Sequence, residues 1–131
     1  NLLIVGDGEE RQNLENLTYK LGVTDYVSFH GASYDEKENC SLIKSMDVLV
    51  SPGEVGLTAI HAMTYGTPVI THNNFSKQMP EFEVIVPGLT GDFFDFNDPI
   101  NSLKDVIKKW YVKTDFVEVP YDNVAYLAQL R

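Results

Sequence analysis

The stretch 51–70, SPGEVGLTAIHAMTYGTPVI, constrains the fold more than any other part of the chain. The apolar run before it stops where Pro52 removes a backbone hydrogen-bond donor and Gly53 permits a turn. After that turn, apolar residues recur at helical spacing over 57–65, and Gly66 ends the helix. Since a second apolar run follows at once, the stretch predicts a βαβ corner in which a short helix joins two strands.

The start of this helix is a candidate place for an anion. A helix that begins directly after a glycine turn, here Leu57 after Gly56, leaves backbone N–H groups unpaired. Those groups and the positive end of the helix dipole point toward whatever lies above the strand ends. A phosphate group would suit that position.

The rest of the chain alternates apolar runs with helical segments, which predicts an α/β fold: a Rossmann-like parallel sheet with helices on both faces. Predicted strands cover 2–6, 26–30, 47–51 and 68–71, with short extended pieces at 84–85 and 92–94, and predicted helices lie within 9–21, 34–45, 57–65 and 99–111. The first two strands are predicted to be central. Because ligands of such sheets lie beyond the carboxyl ends of the strands, we expect Gly31, Gly53 and the loop 71–74 to share one cleft.

The turn 6–10 resembles a phosphate-binding loop only in part. It lacks the Lys-Ser/Thr pair of a P-loop and the three-glycine spacing of a dinucleotide fingerprint. Asp7 followed by Glu10 is better explained as a helix cap with its capping-box partner. On the helix that follows, one face is predicted to carry Leu14, Leu17 and Leu21.

Several short motifs occur in the order of a known family. They are Ser-Pro, Gly-Leu at the helix start, Ala-Met one turn on and Gly-Thr-Pro-Val-Ile, flanked by Gly6-Asp7-Gly8, Val27-Ser28-Phe29-His30-Gly31, Met46-Asp47-Val48, Pro80-Glu81 and Gly88-Leu89-Thr90-Gly91. Their order and spacing from Leu2 to Phe94 resemble the donor-site signature of the retaining family 4 glycosyltransferases, which have the two-domain GT-B fold.

The resemblance implies that residues 1–111 form the nucleotide-sugar (donor) domain, the C-terminal half of a GT-B enzyme. It also implies that this domain's first strand and helix, which carry the Arg and Lys for the donor diphosphate, precede the chain, as does an N-terminal acceptor domain. The C-terminal extension 112–131 is given no role. Within it, 114–120 could be extended and 122–130 helical.

The resemblance places most donor-binding residues on the first turn and helix. The family has two Glu residues there, one contacting hydroxyls of the transferred sugar and one the ribose, and here Gly53 and His61 take their positions. Glu54 can supply the missing carboxylate and is the candidate catalytic residue, or it is a solvated turn residue. His61 either contacts the ribose, which the family position favours, or is a core histidine. The remaining donor-binding candidates of this turn are Val55, Gly56 and Leu57.

Two further turns belong to the predicted donor site. Gly31 begins the turn that contacts the nucleobase in the family, and Tyr34 either stacks on the base or is an exposed loop tyrosine. Asn73 and Asn74 can replace the small residues that approach the pyrophosphate, or they form a polar turn. Glu81 either caps a helix or joins the pocket wall.

Composition excludes several function classes. A net charge of −9 without a basic stripe argues against nucleic-acid binding, and 44% hydrophobic residues suffice for the core of one domain. The single cysteine, Cys40, allows no internal disulfide, and we find neither a signal-peptide pattern nor a membrane-spanning apolar run. A cytoplasmic setting is therefore expected, with peripheral attachment to the inner membrane face left open. The scattered histidines predict no metal site, and no cofactor is expected.

The predicted function is transfer of a sugar from a nucleotide-diphosphate sugar, with retention, to a glycan or lipid-linked acceptor in bacterial polysaccharide biosynthesis. The acceptor would bind through the N-terminal domain, and the chain alone is expected to be inactive. One alternative is a non-catalytic α/β nucleotide-binding or signalling module. Another is a sugar-nucleotide epimerase of the same fold.

Overall fold

The computed structural model of the protein describes residues 1–113 and 125–126. The strands of this part of the chain are β1 (Leu2–Val5), β2 (Val27–Gly31), β3 (Leu49–Ser51), β4 (Val69–His72), β5 (Gly91–Phe94) and β6 (Ala125–Tyr126). Its α-helices are α1 (Arg11–Leu21), α2 (Glu36–Lys44), α3 (Leu57–Thr64) and α4 (Pro99–Lys113). Short 3₁₀ turns lie at Thr24–Tyr26, Phe75–Lys77 and Pro80–Val84.

The described strands form one parallel sheet in the order β2-β1-β6-β3-β4-β5. This confirms the predicted parallel α/β sheet, and the carboxyl ends of all its strands lie at one edge of the sheet. The prediction that both of the first two strands are central is wrong for β2, which is an edge strand. Its alternation of half-buried and exposed residues fits an edge position.

Helices cover both faces of the sheet, as the sequence predicts. On β3 the side chains alternate: Leu49 packs with the α3 residues Ala59 and Ala62, whereas Val50 packs with Val106 of α4. The first cluster also contains Ile43, Val55, Val69 and Ile85, and the second Val48, Ile70 and Phe94. An apolar core therefore lies on each face of this part of the sheet, a smaller cluster holds Val5 and Met46, and α3 is fixed against the sheet on one side.

The end of α3 follows the prediction. Gly66 has φ 81°, and its N–H donates to the carbonyl of Met63, while the Thr67 N–H donates to that of Ala62. This pair of bonds is the Schellman motif, which needs a left-handed residue at Gly66 and stops the helix before β4.

Two local predictions are wrong. Val84 is predicted to be extended, but it is the last residue of a 3₁₀ turn. The turn begins at Pro80, and Phe82 within the turn packs on the α3 core. Asp7 is not a helix cap. Helix α1 begins two residues later than predicted, and Glu10, the residue before it, makes no side-chain capping bond. The Asp7 carboxylate accepts instead from the N–H of the neighbouring Gly8. The apolar face of α1 is largely open, with Leu17 48% and Leu21 65% exposed.

The predicted domain boundary after residue 111 falls inside α4, which continues to Lys113. The helix predicted over 122–130 is contradicted at Ala125 and Tyr126, where β6 pairs with both β1 and β3. The other residues of that prediction, and the extended segment predicted over 114–120, lie outside the described residues.

Candidate functional site

A cavity of about 320 Å³ opens at the carboxyl-end edge of the sheet. Its volume lies at the lower end of the usual range for small-molecule sites. Its lining combines an apolar floor with polar side chains from α2, α3 and the turns after β1 and β2: Val5, Gly6, Asp7, Ala32, Ser33, Tyr34, Asn39, Leu42, Ile43, Thr58 and His61. It is the part of the described structure where the most predicted site elements meet.

Helix α3 supplies one wall of this cavity. His61 is exposed and lines the cavity together with Thr58, which lies three residues earlier on the same helix face. The alternative of a core histidine is therefore wrong. Imidazole and hydroxyl groups can each donate or accept a hydrogen bond, which suits the hydroxyls of a ribose.

The turn after β2 supplies the opposite wall. Gly31 ends the strand with φ 88°, and its carbonyl accepts from the Gly6 N–H at 2.8 Å, which joins the turns after β1 and β2. Three residues on, Tyr34 lines the cavity while 94% exposed, so its ring is free to cover a flat ligand. The next helix is capped by Asp35, whose carboxylate accepts from the Glu38 N–H at 2.8 Å.

Charge at the edge of the cavity comes from Asp7 and Arg11. The Arg11 guanidinium lies 4.0 Å from the Asp7 carboxylate and bonds Glu15 at 2.9 Å. It also lies close to Gly31, where an added Cβ would be 3.5 Å from Nη1. Arg11 was not among the predicted site residues, although it is the first residue of α1 and comes three residues after Gly8.

The turn before α3 carries five predicted residues, and none of them lines this cavity. Gly53 and Glu54 are exposed, Gly56 is half-buried, and Leu57 is 65% exposed. The structure does not support the predicted contact of Val55 with the donor. Its side chain is buried in the core, with 1% of its surface exposed, and its N–H donates to Gln78.

Glu54 is near enough to His72, the last residue of β4, for its charge to offset part of the lowering of the His72 pKa that burial causes. Gly53 has no positive φ and no atom within 4 Å of an added Cβ, so the backbone there is open to any residue. The expectation that glycine reshapes this turn for Glu54 therefore has no support in its backbone angle.

Asn73 and Asn74 form hydrogen bonds within and next to the turn that follows β4. The Asn73 carboxamide oxygen accepts from the Phe96 N–H at 3.0 Å, and the Asn74 oxygen accepts from the Ser76 hydroxyl at 2.7 Å. The Asn74 N–H donates to Nδ1 of His72 at 3.2 Å. These bonds favour the polar-turn alternative, and contact with a diphosphate stays a prediction.

His72 ends β4 and is only 2% exposed. Burial lowers its pKa below the ordinary value, the Lys77 charge lowers the pKa further, and its own backbone hydrogen bond and Glu54 raise it in part. The ring packs edge-on against Phe94 and Phe96, with centroid distances of 6.2 and 5.0 Å. The imidazole is therefore held neutral beneath the turn 73–75.

Glu81 belongs to the 3₁₀ turn Pro80–Val84, which contacts α3. Its Oε2 is buried and has no hydrogen-bond partner among the described residues. Glu81 does not line the cavity, so neither a helix cap nor a place in the pocket wall is supported for it.

Sequence reasoning missed Thr58 and Asn39, and it assigned no role to Gln78. Thr58 could have been found from its spacing of three to His61 on a helix. Gln78 carries no local signal, because its partner Val55 is 23 residues away. Among the described residues, no group of three His, Cys, Asp or Glu side chains could hold a metal ion. No helix in the described part is long and apolar enough to cross a membrane.

Comparison with known proteins identifies the family. Residues 1–122 match the family described as "Glycosyl transferases group 1". The chain is similar in structure to the lipopolysaccharide outer core galactosyltransferase WaaB in its apo form, with a TM-score of 0.65 and 26% identity over 83% of this chain and 32% of WaaB. The fold is accordingly like that of a GT-B glycosyltransferase.

Curated relatives agree with this family. An uncharacterized glycosyltransferase of Methanocaldococcus jannaschii is 42% identical over 53% of this chain and 18% of its own length. A 2-deoxystreptamine glucosyltransferase of Streptomyces kanamyceticus is 36% identical over 53% of this chain and 19% of its own length. The lipopolysaccharide core biosynthesis glycosyltransferase LpsE of Rhizobium meliloti is 31% identical over 59% of this chain and 23% of its own length. The matched segment thus spans about a fifth of these relatives. The chain belongs to the group 1 glycosyltransferases.

Proposed function

We propose that the chain is the donor-binding, C-terminal half of a retaining, family 4-type glycosyltransferase, and that the 320 Å³ cavity holds the nucleoside of a nucleotide-diphosphate sugar. The observation that carries the proposal is that Ala32, Ser33 and Tyr34, which follow Gly31, line one cavity together with Thr58 and His61. Tyr34 covers the base, and His61 bonds the ribose. These roles agree with the family positions that the motifs indicate.

The diphosphate is proposed to lie at the start of α3, because Leu57 and Thr58 are the first residues of the helix and leave their N–H groups without an intrahelical acceptor. The helix dipole there favours the negative charge that grows on the departing diphosphate. Glu54 is proposed to face the transferred sugar. The Arg and Lys that complete the diphosphate site belong, in this proposal, to the preceding strand and helix of the donor domain.

The acceptor is proposed to be a glycan or lipid-linked sugar bound by an N-terminal domain. The relationship to LpsE and WaaB, both named for lipopolysaccharide core assembly, supports a role in bacterial surface polysaccharide synthesis. We place the activity in the cytoplasm, at the inner membrane face where the acceptor is lipid-linked. The relatives named above are glycosyltransferases, so neither a signalling module nor an epimerase is favoured.

Calorimetric titration of the chain with UDP, GDP and ADP tests the proposal. We expect one nucleotide to bind best and His61→Ala to weaken it about tenfold, the usual effect of losing one or two hydrogen bonds. His30→Ala is the matched control, because His30 is an exposed histidine on β2 that pairs with Glu38 at 3.3 Å and does not line the cavity. Folded protein that binds none of the three nucleotides would contradict the proposal.

A further inference from the structure

The carboxamide of Gln78 connects three parts of the chain. Its Oε1 accepts from the Val55 N–H at 2.7 Å, in the turn before α3. Its Nε2 donates to the Thr71 hydroxyl at 2.8 Å and to the His72 carbonyl at 3.0 Å, both at the end of β4. One side chain thus bridges the turn before α3 and the strand end beside it.

The orientation of this carboxamide follows from its partners. A backbone N–H can only donate and a carbonyl oxygen can only accept, so Oε1 must face Val55 and Nε2 must face His72. A rotated carboxamide would bring two donors together at Val55 and two acceptors together at His72. The bridge therefore has one arrangement.

Thr71 adds a second connection to the same turn. Its side chain is fully buried, and its hydroxyl, which accepts from Gln78, donates onward to the Gly53 carbonyl at 3.3 Å. Two backbone groups of the turn, at Gly53 and Val55, are consequently held by side chains from the end of β4 and just beyond it. Helix α3 begins at Leu57, two residues after Val55.

His72 closes the far side of the bridge. Its Nδ1 accepts from the Asn74 N–H at 3.2 Å and lies 3.1 Å from Nε2 of Gln78, which puts the ring proton of the neutral imidazole on Nε2. The charged side chains that act on the imidazole are Lys77 and Glu54. The turns before α3 and after β4 are in this way joined to one polar group of residues, the buried Thr71 and His72 and the half-buried Gln78.

We propose that Gln78 is a positioning residue of the donor site, which acts by fixing the Val55 N–H and with it the direction in which α3 presents its first residues. This inference rests on the proposed function, because it assigns Gln78 a part in nucleotide binding. Gln78 itself does not touch the ligand. Its loss leaves α3 in place, since Ala59 and Ala62 remain packed in the core. It releases the Val55 N–H, while Thr71 still holds the Gly53 carbonyl.

The test replaces Gln78 by Met, which has a similar shape and no amide, and by Glu. Gln12→Met, on the exposed face of α1, is the matched control. Two measurements are made on each protein: hydrogen exchange of the Val55 amide in the free chain, and the affinity for the nucleotide that binds best. For Gln78→Met we expect faster exchange at Val55 and about tenfold weaker nucleotide binding.

Gln78→Glu gives a signature that a general loss of stability would not produce. Its carboxylate can accept from Val55, but it can donate to His72 only when protonated. Because a glutamic acid side chain ordinarily protonates at about pH 4 and the facing His72 carbonyl favours its protonated form, the ratio of its affinity to that of the unchanged protein should rise as the pH is lowered from about 7 to about 5, while the ratio for Gln12→Met stays constant.

The outcomes separate the two proposals. Unchanged exchange at Val55 in Gln78→Met would overturn the positioning role, and so would faster exchange with unchanged nucleotide affinity. The unchanged protein could bind no nucleotide while Val55 still exchanges faster in Gln78→Met. In that case the proposed function fails, and the role of Gln78 in nucleotide binding fails with it. The faster exchange would still show that Gln78 holds the Val55 N–H. Faster exchange, weaker binding and the pH-dependent ratio together support the inference.

Discussion

In the half of the sheet formed by β3, β4 and β5, Leu49, Val50 and Ile70 are completely buried, whereas in the half formed by β1 and β2 only Ile4 and Val5 are buried. The helices differ in the same way. Helix α3 packs two alanines into the core, but α1 has no buried residue. The polar bridge of Thr71, His72 and Gln78 also belongs to the first half.

The candidate cavity lies between these halves. One wall is α3, which is held by the well-packed half, and the other is formed by the turns after β1 and β2. Helix α2 adds Asn39, Leu42 and Ile43 to the lining. The described backbone bond between those turns joins Gly6 to Gly31. This contrast indicates a site with one fixed wall and one adaptable wall, so that a ligand filling the cavity would stabilise the second half more than the first.

Truncation of a leucine in each half tests the contrast most strongly. Leu49→Ala should lower the free energy of unfolding by about 3 kcal/mol, because it leaves a cavity under α3. Leu17→Ala should change it by less than about 0.5 kcal/mol, since that side chain is half exposed on α1 and alanine is a good helix former. Urea denaturation of both variants measures the difference, and equal losses would contradict the contrast.

Acid should weaken the well-packed half through His72. Because burial lowers the folded pKa of His72 below 6.5, the unfolded chain binds the proton more readily. The contribution of His72 is present above pH 6.5, falls as the pH drops from 6.5 toward the lowered folded pKa, and is constant below it. The slope from one group cannot exceed about 1.4 kcal/mol per pH unit.

Urea denaturation at several pH values, for the unchanged protein and for His72→Asn, isolates this contribution. The unchanged protein should lose more stability on acidification than the variant does. His30→Asn serves as the control because that histidine is exposed on β2. Identical pH dependence in the unchanged protein and His72→Asn would show that the buried imidazole does not supply the effect.

A smaller effect is expected when the family's carboxylate is restored at Gly53. No atom lies within 4 Å of an added Cβ there, so Gly53→Glu should leave stability unchanged. It should raise the affinity for a nucleotide sugar about threefold relative to the matching nucleoside diphosphate, because one hydrogen bond to a sugar hydroxyl is gained. Gly53→Gln is the matched control, since it lacks the charge. If the affinity for the nucleotide sugar relative to the nucleoside diphosphate is no higher in Gly53→Glu than in the unchanged protein, the sugar does not lie beside this turn.

The sequence was informative wherever structure is decided locally. The helix after Gly56 and its end at Gly66 follow from apolar spacing and from one residue in the left-handed region. His61 was found because its place on that helix is fixed by the same pattern. The parallel sheet followed from the alternation of strands and helices.

Two of the errors, at Val84 and at β2, have a common physical cause, which is that long-range packing overrides local preference. Val84 and Ile85 are good strand formers, but the turn that begins at Pro80 packs Phe82 against the α3 core. The edge position of β2 depends on the order of strands across the sheet, which local sequence does not encode. The bridge of Gln78 to Val55 joins residues 23 positions apart, and a lone glutamine in a loop gives no sign of it.

The central claim is that a nucleotide binds between the fixed and the adaptable wall. A map of backbone amide chemical shifts during titration with the best-binding nucleoside diphosphate tests it directly. We predict shifts on both walls at once, at Gly6, Ala32 and Tyr34 on one wall and at Thr58 and His61 on the other. We predict none in a separate groove that Lys108 and Lys109 of α4 line. Shifts confined to one wall, or found at the α4 groove instead, would contradict it.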